Sequence, residues 1–340
     1  MTSKPRPKPR APPAKKKATP PPAPPEPKAV PPPPIGAIPI PGAAKAHPAL
    51  GLGLWALGRW SSEDEARTKA TIGRAYEQGF RWFDTAEVYG SGRSERLLGE
   101  VLQRAAGGGR DAYVVTKVSW EHLRPAQVRA SLINSLERLG RSSVDLYLVH
   151  AADPRANLAE TLRTLEALWK EGKVGAIGVS NFSVAELEAA AKGLSEARIA
   201  VNQVRYNLFD RDEADPVREY CREHQILIEA YTPLARGVLH GRYLDGRSVP
   251  SEVRQFAHRF FEPERLPGLL ERARRLRALA KSADVPLASI ALHWLAKQGA
   301  APVLGMSQPE QVDSNLAAWA VRPPDDVLDR ADAIARGDRA

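Results

Sequence analysis

Four side chains able to do chemistry stand at or just beyond the ends of short apolar runs: Asp84, Tyr89, Lys117 and His150. Trp82-Phe83 leads into Asp84, and Tyr89 follows five residues later in a loop that carries Gly90 and Gly92. Lys117 ends Tyr113-Val-Val-Thr-Lys, and His150 ends Asp145-Leu-Tyr-Leu-Val-His. Alone, Asp84 reads as a helix cap or turn former, Tyr89 as amphipathic packing, and His150 as a satisfied structural imidazole. Lys117 is harder to explain that way. A buried ammonium costs several kcal/mol unless it is paired, and Asp84 is its natural partner. Together the four suit proton donation to an oxyanion. A free tyrosine, with a pKa of about 10, is too weak an acid at neutral pH, and an adjacent ammonium favours the phenolate and lowers that value. Asp84 would hold Lys117 charged and oriented. His150 would position a carbonyl and share its developing negative charge. This set fits reduction of a carbonyl with Tyr89 giving the proton. None of the four carries a hydride, so a cofactor is required.

Positioning them takes a regular scaffold. From Ala49 onward, short apolar runs alternate with helical stretches. Strands are expected at 50–54, 82–84, 113–117, 144–150, 174–180, 199–203, 226–230 and 302–304. Helices are expected at 63–77, 94–104, 125–139, 158–171, 184–192, 212–224, 266–282, 287–298 and 309–318. Strands with little internal alternation are what a buried parallel sheet requires. Eight right-handed βα units close into an α/β (β/α)8 barrel of the TIM type. The rival is a doubly wound open sheet, which would carry a glycine-rich dinucleotide turn after its first strand. Gly51-Leu-Gly53 lies inside the strand, with no third glycine where a helix should open.

A barrel places chemistry at the carboxyl ends of its strands. Here those ends read Trp55, Asp84, Lys117, His150, Ser180-Asn181, Gln203, Tyr231 and Gly305. Ser180, Asn181 and Gln203 offer hydroxyl and amide groups suited to gripping a carboxamide, and Tyr231 offers a flat face for stacking. The turn Gly305-Met-Ser-Gln-Pro opens the last expected helix, whose N-terminus suits a phosphate.

The 340 residues carry a net charge of +9, which would suggest an acidic partner if it were evenly spread. It is not. Residues 1–48 hold nine Lys/Arg against Glu26 alone, leaving 40 basic and 39 acidic residues in the body. The barrel is therefore not a basic nucleic-acid module. One cysteine, Cys221, excludes an internal disulfide and fits a reducing, cytoplasmic setting. Cys221 and His224 supply two of the ligands a metal site needs, so no metal is expected. Residues 1–35 are a basic stretch of Pro, Ala and Lys and read as a disordered tail ahead of a barrel domain at 36–340. Ile38-Pro-Ile-Pro-Gly42 is expected to form a short hairpin or cover. The chain has no signal-peptide core and no apolar run long enough to span a membrane.

With these residues in hand, the sequence resembles the aldo-keto reductases, NAD(P)H-dependent (β/α)8 enzymes. The blocks that carry the resemblance are GLGLWALG (51–58), FDTAEVYGSGRSERLLG (83–99), VVTK (114–117), DLYLVH (145–150), GVSNF (178–182), VNQVRYN (201–207), AYTPLARGVL (230–239) and LGMSQPEQVDSNLAA (304–318). They run in order and register from Ala49 to about Ala318 and say nothing of residues 1–35. The resemblance implies a catalytic tetrad of Asp84, Tyr89, Lys117 and His150, with pro-R hydride transfer from the nicotinamide to an aldehyde or ketone and no metal. It implies that Ser180, Asn181 and Gln203 hold the carboxamide and that Tyr231 stacks on the ring. Gly53, Leu54, Trp55 and Asp84 would also face the cofactor. Thr232, Pro233, Leu234 and Gly237 would follow the pyrophosphate, and Gly305, Met306, Ser307, Gln311 and Asn315 the adenosine end. Trp55 and Trp120 would line the substrate pocket, although surface packing fits Trp120 as well.

The sequence departs from the family at two points. Many members carry Arg or Lys shortly after the glycine matching Gly305, where it pairs with the 2′-phosphate of NADP. Here the run is Met306, Ser307, Gln308, and that fork-shaped cation is lost; NADPH stays the first expectation on family habit, and NADH or dual use stays open. His150 is followed by Ala151-Ala152 rather than a bulky aromatic, which makes a roomier pocket. The short carboxyl end after Ala318 lacks the length of the specificity loop found in steroid- and sugar-active members. The leading expectation is a cytoplasmic reductase of small aldehydes or ketones. The alternatives are an NADPH-binding regulatory or sensor subunit with little turnover, and a scaffold whose basic tail recruits an acidic partner.

Overall fold

Eight strands pair in parallel and close on themselves in a computed structural model that describes residues 35–55, 62–246 and 261–337. The proline-rich tail and most of the loop at 240–264 lie outside the described residues. The strands are β3 (Gly51–Gly53), β4 (Trp82–Asp84), β5 (Tyr113–Val118), β6 (Leu146–Val149), β7 (Ile177–Ser180), β8 (Ile199–Arg205), β9 (Leu227–Tyr231) and β10 (Ala300–Gly305). Each pairs with the next in sequence, and β10 returns to β3, with Gly305 opposite Gly53. Among the described residues, the barrel sheet has no open edge. Ahead of the barrel, β1 (Ala37–Ile38) and β2 (His47–Pro48) form a hairpin, wider than the one expected within 38–42.

The helices are α1 (Ser62–Glu77), α2 (Arg93–Arg104), α3 (Pro125–Leu139), α4 (Leu158–Lys170), α5 (Val184–Lys192) and α6 (Asp215–Glu223), followed by α7 (Leu266–Ser282), α8 (Leu287–Lys297), α9 (Glu310–Ala320) and α10 (Asp325–Arg336). Their starts are legible locally. Asn157 caps α4, Ser183 and Glu186 form a capping box on α5, and Pro125 opens α3, which stops at left-handed Gly140. Helix α6 is shorter than the expected 212–224 because Pro216 sits in its first turn, which fixes the start at Asp215. Helix α10 was not expected. Its apolar positions 327, 328, 331, 334 and 335 recur at helical spacing between Pro324 and Gly337, and Asp332 accepts from Trp294 and Arg211 of the body. Among the described residues, no helix is long and apolar enough to cross a membrane.

Two cores follow from the two-residue period of the strands. Outward residues such as Phe83, Val114, Tyr147, Val149, Ile177 and Val179 pack under the helices. Inward residues, among them Trp82, Tyr113, Val115, Leu146, Leu148, Val201 and Leu227, fill the barrel interior, and Ile40 of the hairpin joins them. A Cβ on Gly51 would lie 2.3 Å from the Trp82 ring, so glycine is what lets the indole occupy the floor. Continuing the same parity one step up each strand places Asp84 over Trp82, Lys117 over Val115, His150 over Leu148, Gln203 over Val201 and Glu229 over Leu227. The inward row thus turns from apolar to ionisable at the carboxyl end of the barrel.

Candidate active site

Lys117 is fully buried, and its ammonium has four neighbours. It donates to Asp84 Oδ1 and Oδ2 at 2.8 and 2.7 Å and to the Thr85 carbonyl at 2.8 Å, and it reaches the Tyr89 hydroxyl at 3.4 Å. Tyr89 arrives by a tight reversal: Gly90, Ser91 and Gly92 all have positive φ before α2 begins. Glu87, in the same loop, accepts from the Ser119 amide at 2.6 Å and sits 3.0 Å from His122 Nδ1, which ties the loop to the segment after β5. The Tyr89 and His150 rings meet edge to face, 5.6 Å apart.

The charges follow from this packing. Burial pushes the Asp84 carboxyl up, Lys117 pulls it back, and Glu229 pushes it up again. Burial pushes the Lys117 ammonium down, but Asp84 and Tyr89 outweigh it and hold it above its usual range. Two short bonds from one nitrogen to both carboxylate oxygens fit an ionised pair. Burial pushes the Tyr89 phenol up, and Lys117 offsets only part of that. The lysine thus acts in the expected direction without setting the net sign, and the free protein holds Tyr89 as the phenol. Burial, helped by Lys117, lowers His150 to about 3, so its ring is neutral at working pH. Its Nδ1 is buried with no partner among the described residues.

Beside the tetrad lies a chain of amides and hydroxyls. Ser180 donates to the Gln203 carbonyl at 2.8 Å. The Asn181 amide donates to Ser180 Oγ at 3.0 Å and to the His150 carbonyl at 3.3 Å. The Tyr231 hydroxyl donates to Asn181 Oδ1 at 3.0 Å, and the Arg205 guanidinium lies 5.9 Å from the Tyr231 ring centre. Asn181 takes a left-handed φ of 60°, the backbone cost of turning its amide to this spot. Gln203 differs from expectation in one respect. Its Nε2 donates to Asp84 Oδ2 at 2.9 Å and to Glu229 Oε2 at 2.5 Å, so the carbonyl oxygen is what it can offer a carboxamide.

The remaining expected residues fall in two groups. Thr232, Ala235, Arg236 and Gly237 all have positive φ, so the loop through Pro233 and Leu234 curls after β9. Arg236 lies 5.4 Å over the half-exposed Trp55 ring. Trp120 meets His150 at 5.8 Å and is 41% exposed, so it borders the tetrad from the solvent side. Leu54 and Met306 are buried in the core under the helices, so only their backbone is free to face a ligand. Gln311 Oε1 accepts from the Ser307 amide at 2.6 Å and the Gln308 amide at 3.1 Å, capping its own loop. Asn315 is buried, and its Oδ1 has no partner among the described residues. The outer-layer concavity lined by Pro125, Arg129, Glu160 and Arg163 contains none of these residues.

Two buried residues of this centre were missed. Glu229 is a carboxylate in the middle of Leu227-Ile-Glu-Ala-Tyr and should have been singled out as Lys117 was. Its Oε1 lies 2.8 Å from His47 Nε2. Nothing around Ala46-His47-Pro48 marks His47 in the sequence, because its partner is 182 positions away.

The sequence model described as the aldo/keto reductase family matches residues 49–336. The aldo-keto reductase YhdN of Bacillus subtilis is 30% identical over 292 residues, covering 81% of this chain and 87% of its own. The NADH-specific methylglyoxal reductase of Escherichia coli is 28% identical, covering 79% of this chain and 89% of its own. Among solved structures, an aldo/keto reductase from Klebsiella pneumoniae in complex with NADP and acetate has a TM-score of 0.69 at 26% identity, covering 88% of this chain and 95% of that one.

Proposed function

The chain belongs to the aldo/keto reductase family, and from the groups at its barrel mouth we propose that it reduces small aldehydes and ketones with NADPH, Tyr89 giving the proton. The observation that carries this reading is the position of the Tyr89 hydroxyl, 3.4 Å from an ammonium that Asp84 holds in place. Bound NADPH would supply the hydride to the carbonyl carbon. As charge builds on the carbonyl oxygen, Tyr89 releases its proton to it, and Lys117 stabilises the phenolate left behind. Neutral His150 can donate one ring N–H to the same oxygen without competing for the proton.

Several residues fit the cofactor. The unpartnered amide oxygen of Asn315 and the curled loop at Thr232–Gly237 suit its adenosine and pyrophosphate ends. Tyr231 offers the ring face opposite Arg205. The Gln203 oxygen, Ser180 and Asn181 would hold the carboxamide. The half-exposed rings of Trp55 and Trp120 favour substrates with an apolar substituent. The test is NADPH oxidation with 4-nitrobenzaldehyde and a panel of further carbonyls. Turnover that Tyr89→Phe abolishes supports the reading. Tight NADPH binding with no turnover on any member of the panel overturns it and favours a cofactor-sensing subunit.

A further inference from the structure

We propose that the buried pair His47–Glu229, acting through the side-chain amide of Gln203, positions the catalytic centre, so that the hairpin at the barrel floor helps set the charge and orientation of the tetrad. This rests on the reading of Asp84, Tyr89, Lys117 and His150 given above.

The connection is continuous. Lys117 Nζ meets Asp84 Oδ2 at 2.7 Å, and Asp84 Oδ2 accepts from Gln203 Nε2 at 2.9 Å. The same Nε2 meets Glu229 Oε2 at 2.5 Å, and Glu229 Oε1 meets His47 Nε2 at 2.8 Å. His47 Nδ1 ends the chain on the Pro48 carbonyl at 2.7 Å. All five side chains are buried. The orientation of Gln203 is fixed by chemistry, because an amide group facing two carboxylates must present its NH2 to both.

Counting protons sharpens the point. Both ring nitrogens of His47 face oxygens that accept, the Pro48 carbonyl and the Glu229 carboxylate. A neutral imidazole has one N–H and cannot satisfy both. The pair therefore holds one proton more than a neutral ring plus a carboxylate, on the ring or on the acid. With that proton on the ring, the pair is neutral overall and has its negative end towards Asp84. Packing alone does not call for such a pair, since an apolar residue like Leu227, two positions earlier on the same inward row, would fill the barrel with no buried charge to balance.

The His47 ring is boxed edge-on by Trp82 at 4.2 Å and Tyr113 at 4.8 Å, and the Trp82 Nε1 and Tyr113 hydroxyl have no partner among the described residues. Below lie Tyr113 and the Lys45–Asp145 ion pair, and above lie Asp84, Lys117 and Tyr89. The Glu229 charge pushes the Asp84 carboxyl upward, behind burial as the main cause, and adds a smaller upward push on the Tyr89 phenol, behind burial and the Asp84 charge. The floor pair therefore acts on the acid that the reaction uses.

The test uses the full-length protein and two near-isosteric variants, Glu229→Gln and His47→Gln. The single-turnover rate of 4-nitrobenzaldehyde reduction is followed against pH. It falls on the alkaline side as Tyr89 loses its proton. Removing the Glu229 charge should move that limb down by about half a pH unit or more, and stripping Glu229 of its counter-ion should move it up by a similar amount. Opposite shifts support the proposal, because loss of packing has no sign. Shifts in the same direction, or none, overturn it. If one variant fails to fold, the sign of the other's shift decides. If the wild type binds NADPH but reduces nothing, the activity fails and the network is judged on NADPH affinity, read from protein fluorescence. A threefold or greater loss in Glu229→Gln, restored in Glu229→Asp, supports it; unchanged affinity overturns it.

Discussion

Lys117 holds both oxygens of Asp84 from one fully buried nitrogen, at 2.7 and 2.8 Å, at the end of the inward row of the barrel. A buried pair of this kind is weak evidence for stability and strong evidence for purpose, because apolar residues would fill the space at lower desolvation cost. Lys117→Met should leave the Asp84 charge without its cation and cost about 3–5 kcal/mol in urea unfolding. Adding Asp84→Asn removes the orphaned charge and should recover a large part of that loss with no recovery of turnover. A double variant as unstable as the single one would show that the pair contributes more by geometry than by charge.

Tyr89→Phe keeps the ring against His150 and removes only the hydroxyl. The single-turnover rate should fall by a factor of at least ~100, the usual scale of general-acid catalysis, while NADPH affinity stays within about twofold. A near-normal rate would remove Tyr89 from the chemistry.

His150 should make the fold acid-sensitive. Burial, with Lys117, lowers it to about 3, against about 6.5 in an unfolded chain. Between those values the unfolded state binds more protons than the folded one. The stability tied to a neutral His150 is therefore complete above about pH 6.5 and is lost as pH falls towards 3. At pH 5 the expected loss is on the order of 2 kcal/mol. His150→Gln should flatten the decline of Tm between pH 7 and pH 5; an equally steep decline would place the sensitivity elsewhere.

Cofactor choice should be loose. Gln311 closes the loop at Ser307 and Gln308, and no arginine stands in Gly305-Met-Ser-Gln to fork onto a 2′-phosphate. The kcat/KM ratio of NADPH to NADH is expected to lie below about 10, and Ser307→Arg should raise it at least about tenfold by adding a charge-assisted contact of ~1.5–3 kcal/mol. A wild-type ratio in the hundreds would mean that another cation reads the phosphate.

Gly99 lets α2 press against the end of α3. A Cβ there would lie 2.6 Å from the Leu139 carbonyl oxygen and 2.8 Å from that of Arg138, both backbone atoms that cannot swing aside. Gly99→Ala should cost about 1–3 kcal/mol despite the better helix propensity of alanine, lowering Tm with the tetrad rates per folded molecule unchanged. A raised Tm would mean that the two helices separate at little cost.

The number and order of the strands were legible because buried parallel strands are short, apolar and regularly spaced, and such a signal survives without partners. Asp84, Lys117 and His150 stood out for the same local reason, as polar types that close apolar runs. Helix α10 has as clear a local pattern, but it lies beyond the eighth βα unit, where the barrel requires no further helix. Other features had no local trace. Whether Tyr89 is raised or lowered depends on how deeply its loop sinks, which no spacing reports, and burial outweighs the neighbouring lysine. The amide of Gln203 turns to two carboxylates, one on β4 and one on β9, because barrel closure brings those strands to the same interior. His47 joins Glu229 across 182 positions only because the hairpin tucks under the barrel floor. The sequence by itself determined the scaffold and the reactive types, since both are written in short-range pattern. Charge state, donor direction and the depth of the site were decided by the tertiary structure, because they depend on long-range neighbours and on exclusion of water.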